Sequence, residues 1–131
     1  YLFSITELIK AEYHLGVPRI ALVLKALREM EDDPNIYVYN KFLGENPFFK
    51  SASALEIHAL EKTLMKDYNV NRWFRIRTGT GLVGNILSVE IDINTIPEGQ
   101  ADFDLEKIKD FYKTSLEFAK QNFLTCFGEP L

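Results

Sequence analysis

At 131 residues, with 47% apolar and 26% charged side chains, the chain falls in the range of one globular domain and can bury a core. Its formal net charge of -4 works against long-range attraction to nucleic-acid phosphates or anionic lipid, and its single cysteine, Cys126, excludes an internal disulfide or a cysteine-built metal site. No run approaches the roughly 20 apolar residues a bilayer span needs, and the opening YLFSITELIK lacks the basic start and cleavage site of a secretory signal, so one cytoplasmic domain over residues 1–131 is expected.

Ser4 and Glu7 have capping-box spacing and predict a first helix that runs to a left-handed stop at Gly16. Pro18 suits the first turn of a second helix, PRIALVLKALREME, in which Ile20, Val23, Leu24, Leu27 and Met30 recur at helical spacing. After the acidic DDP turn, Ile36–Tyr39 is short and rich in β-formers and is expected to be a strand. Residues 40–52 show neither period and predict a loop with Phe48 and Phe49 packed beneath it; an exposed pair there would mark a binding surface. Ser53 and Glu56 repeat the capping-box spacing and predict a third helix with Ile57, Leu60, Leu64 and Tyr68 on one face.

From Arg72 the period becomes two. Phe74 and Ile76 alternate with Trp73, Arg75 and Arg77, and Leu87, Val89, Ile91 and Ile93 alternate with Ser88, Glu90 and Asp92. The glycine-rich TGTGLVGN between them predicts a hairpin over 72–93. Asp104 is a good N-cap for a last helix to about Phe127, stopped by Gly128 and Pro130, with Leu105, Ile108, Tyr112, Leu116, Ala119, Phe123 and Cys126 on one stripe. The expectation is an α+β fold: a small antiparallel sheet of about three strands, with about four helices packed mainly on one face.

Chemistry is sparse. Gly79, Gly81 and Gly84 match G-x-G-x-x-G after a strand, a candidate phosphate loop, but a dinucleotide site needs a helix to open at the third glycine. The residues after Gly84 alternate instead, which suits a turn. Arg72, Arg75 and Arg77 with Trp73 could stack and neutralise a nucleic acid, yet Arg75 and Arg77 share a face with Glu90 and Asp92, so cross-strand ion pairs are expected. The predicted order of helices and hairpin invites comparison with a winged helix, but the third helix is poor in basic side chains.

His58 and Glu61, three apart on that helix, would form a structural pair, and no metal is expected. His14 is expected in solvent. Glu12 falls between Leu8 and Leu15, where Arg19, Arg28 or a partner would have to neutralise it. Cys126 lies on the apolar stripe, and no serine sits in a nucleophile elbow, so no covalent catalyst or cofactor is expected. By elimination the sequence points to a non-catalytic protein-binding domain, an acidic regulator, inhibitor or immunity-type protein. Its partner surface is expected at Trp73, Arg75, Arg77, Glu90 and Asp92, since Arg and Trp are frequent interface anchors. The alternatives are a winged-helix-like nucleic-acid-binding regulator and a small enzyme or nucleotide-binding domain using Gly79–Gly84.

Overall fold

Four strands and three α-helices make up the computed structural model, which describes residues 19–81, 84–96, 103 and 105–128. In chain order they are β1 (Ala21–Met30), α1 (Pro34–Val38), a π-helical turn (Tyr39–Leu43), α2 (Pro47–Lys50), β2 (Glu56–Met65), β3 (Tyr68–Gly81), β4 (Gly84–Thr95) and α3 (Leu105–Phe127). The strands form one antiparallel sheet in the order β1-β4-β3-β2. The expected helix from Ser4 to Gly16, with Glu12 and His14, lies outside the described residues, as do Pro18, Asp104, Pro130 and the side chain of Leu105.

The α+β class and the hairpin at 72–93 hold, but three elements differ from expectation. Residues 21–30 and 56–65 are strands, not helices, and 36–39 belongs to a helix. The first stretch contains two periods at once. Ile20, Leu22, Leu24 and Ala26 also alternate, and these are the residues buried to 7% or less. An apolar run of this kind satisfies either template, and pairing with β4 settles it. In β2 the helix formers of EIHALEKTLM yield to pairing with β3, and Glu56 does not cap a helix but turns its carboxylate to Arg77. At 33–38 a local signal outweighs β-propensity: Asp33 accepts the Asn35 N–H at 2.8 Å and Pro34 occupies the first turn.

The described residues fall into two packed units, one of 25–59 and 74–90, the other of 19–24, 60–73 and 91–128. The first buries Ala26, Val38, Leu55, Ile76, Leu87 and Val89. In it a polar knot ties the 33–55 segment to β3. Buried Asn35 donates to Ser53 O at 3.2 Å and accepts from Thr78 Oγ1 at 2.5 Å, while the Thr78 N–H donates to Leu55 O at 3.0 Å and the Leu55 N–H donates to Thr78 Oγ1 at 2.8 Å. This satisfies polar groups that burial would otherwise penalise by about 1–3 kcal/mol each.

The second unit buries Leu22, Leu24, Val70, Ile91 and Ile93 together with Phe111, Ala119, Phe123 and Cys126 of α3. Ala119, Phe123 and Cys126 of the expected stripe are buried, but before them the inward ladder is Phe111 and Ser115 and not Tyr112 and Leu116: Phe111 is fully buried and Leu116 is 40% exposed, and the polar serine hid this. The helix ends as predicted at Gly128, whose φ of +74° and N–H bond to Leu124 O at 2.8 Å suit a glycine C-cap. Lys107 and Asp110 hold the β2–β3 turn through Asp67 at 3.2 Å and Lys66 at 3.0 Å.

Candidate functional site

Trp73, Arg75 and Arg77 of β3 with Glu90 and Asp92 of β4 were the expected partner surface; Arg77 is exposed and the other four are half-buried. In the first unit Arg75 of β3 bonds Glu90 of β4, with both side chains 22% exposed, as the cross-strand expectation had it. Arg77 differs. It does not turn to β4 but donates from Nε to Glu56 of β2 at 2.5 Å. The Glu56 Oε1 atom also meets His58 Nε2 at 2.6 Å, and the contacts with His58 and then Arg77 hold this carboxyl below the usual range. Reading 56–65 in period two would have placed Glu56 beside Arg77; the helical reading concealed it.

His58 and Glu61 do not pair, because three residues along a strand put them on opposite faces. Glu61 instead meets Arg72 at 3.2 Å, and the Arg72 guanidinium lies 4.3 Å from the Phe118 ring centre on α3. Arg72 thus belongs to the helix-facing side. In the second unit, Trp73 and Asp92 are half-buried. Asp92 accepts from Asn94 Nδ2 at 3.0 Å, and Asn94 Oδ1 accepts from Asn71 at 3.3 Å and Arg19 at 3.2 Å. Beside them is a depression of about 360 Å³ whose described lining is Lys62, Thr63, Leu64, Asn69, Asn71 and Ile96.

Of the candidate phosphate loop, Gly79 and Gly81 lie within β3 and Gly84 opens β4 with a φ of +100°. No helix starts there, so the helix N-terminus that would receive a pyrophosphate is missing from the motif. A Cβ at Gly84 would stand 3.3 Å from Glu29 Oε1. That carboxylate is a repulsive neighbour for a phosphate. Likewise the 53–68 segment that a winged helix would offer to a groove is strand β2 and its turn. Among the described residues, no group of three or more His, Cys, Asp or Glu side chains could hold a metal ion, and no helix is long and apolar enough to cross a membrane.

The 40–52 segment, expected to be loop, contains the π-helical turn and α2. Asn46 caps α2 by accepting the Phe48 N–H at 3.0 Å, and Ser51 Oγ donates to Phe48 O at 3.2 Å. This holds Phe48 outward. It is 75% exposed, the most exposed large apolar residue described, with Phe49 edge-on at 5.6 Å between ring centres. The expected burial of this pair is therefore corrected for Phe48. Compared with known proteins, the chain matches no family model, no curated protein and no solved structure.

Proposed function

We propose that this chain is a non-catalytic protein-binding domain, an acidic regulator, inhibitor or immunity-type protein, with Phe48 as its leading anchor. The observation that carries the reading is the 75% exposure of Phe48 on a capped helical turn. Covering a phenylalanine that open releases roughly 3 kcal/mol of apolar transfer free energy. The turn is braced by the Asn46 and Ser51 bonds, so little ordering cost is left for association. Of the five residues expected from the sequence, Arg77 is the most open, whereas Arg75 and Glu90 are engaged with one another and serve a partner less readily.

Affinity capture from the native source tests this directly. Wild-type protein retains a protein partner, Phe48→Ser loses it while keeping the same unfolding midpoint, and Arg77→Ala weakens it less. Equal capture by wild type and Phe48→Ser discards the anchor, and retention of nucleic acid or nucleotide alone discards the protein-binding reading.

A further inference from the structure

β2 stands at the end of the strand order, and among the described residues only β3 pairs with it. The strand has ten residues and is exposed along most of its length. Alternate N–H and C=O groups on its outer side therefore point away from the sheet, the template that strand addition uses. One face carries Glu56, His58, Leu60, Lys62 and Leu64, of which Leu60 is 42% and Leu64 64% exposed.

We propose that β2 pairs antiparallel with β2 of a second copy of this chain, about a two-fold axis at Ala59. Such an axis keeps each sheet face on its own side, so a residue must oppose one of the same parity and the pairing centres on a residue. Centring on Ala59 sets Lys62 directly opposite the partner's Glu56, and symmetry repeats the pair. His58 then opposes the partner's Leu60, and the two Leu60 side chains lie diagonally across the axis. Other centres are worse. Glu61 or Lys62 at the axis would oppose like charges, and Leu60 there would set Lys62 against His58 and Glu56 against Leu64.

Both ends of the new ion pair are available. Lys62 has no ion pair among the described residues, and the Arg77 and His58 contacts of Glu56 both use Oε1, which leaves Oε2 for the incoming ammonium. The small side chain of Ala59, exposed on the strand, puts no bulk at the axis. The pairing depends only on the repeat along a single strand.

Sedimentation over a wide range of protein concentration tests the proposal. The wild type associates to a dimer; Lys62→Glu or Glu56→Lys weakens association about ten-fold, and combining the two changes restores it. Independently, Ala59→Cys forms an inter-chain disulfide on mild oxidation, since opposed Cα atoms in such a ladder lie about 4.5–5.5 Å apart. The buried Cys126 does not compete. A monomer at every concentration overturns the proposal. So does a dimer indifferent to both charge changes, or one whose Ala59→Cys variant does not cross-link.

Discussion

Replacing Ser115 by alanine should stabilise this protein. Ser115 lies in the middle of α3 with no exposed surface, and its buried Oγ has no hydrogen-bond partner among the described residues. Serines inside helices commonly donate to the carbonyl one turn back, as the Thr125 hydroxyl does to Gln121 O at 3.0 Å, but Ser115 makes no such bond. An unpartnered buried hydroxyl costs about 1–3 kcal/mol. Alanine also gains a few tenths of a kcal/mol, roughly, in helix propensity. Against this stands the loss of the oxygen's dispersion contacts, at about 0.1–0.2 kcal/mol each. The net expectation is about 1 kcal/mol of added stability and a rise of about 3–5 °C in melting temperature. Urea unfolding followed by far-UV circular dichroism measures it as a higher midpoint at unchanged slope. Thr125→Ala, at an exposed position, is the control and should change stability by less than about 0.5 kcal/mol. A lower midpoint for Ser115→Ala at the same slope would refute the reasoning, because it would mean that the hydroxyl has a partner in solution.

Two further expectations concern titratable and charged groups. Burial, then the carboxylates of Asp110 and Asp67, push the Tyr68 phenol above its ordinary range, and its hydroxyl has no partner among the described residues. The folded state therefore holds this proton longer than the unfolded chain, so the stabilisation is complete below the ordinary tyrosine pKa of about 10 and is lost as pH rises through the folded value. Tyr68→Phe should remove the latest component of the tyrosinate absorbance titration and flatten the alkaline loss of stability, with little change at neutral pH; a cost above about 1.5 kcal/mol at neutral pH would contradict it. In the Arg75–Glu90 pair, with side chains 22% exposed, a double-mutant cycle with Arg75→Ala and Glu90→Ala should give a coupling of about 1 kcal/mol. Salt should screen it less than the coupling of Arg77 and Glu56, whose side chains are 50% and 51% exposed; equal screening would count against the difference in burial.

The readable parts of the chain share one property: their signal is local and unambiguous. Strict alternation from Trp73 to Ile93, with glycines between, admits only paired strands, and the long apolar stripe closed by Gly128 admits only a helix. The acid–base pairing of Arg75 with Glu90 followed from the same alternation, since cross-strand neighbours are set by the pleat. That a strand and not a helix opens at Gly84 was equally legible, because the residues after it have the strand period.

The forces that decided β1 and β2 come from far away in the chain. Ala21–Met30 and Glu56–Met65 are made of residues that serve a helix well, and the apolar positions of the first fit either period; the hydrogen bonds that claim the two segments come from β4 and β3. Arg77 found Glu56 and not β4 for the same reason: a partner 21 residues away exists only once β2 lies beside β3. Local periodicity thus specified the hairpin and the last helix on its own, because each satisfies its backbone groups within a short stretch. The choice between helix and edge strand at 21–30 and 56–65 belonged to the sheet, which offered both segments a backbone ladder and gave the first a buried face as well.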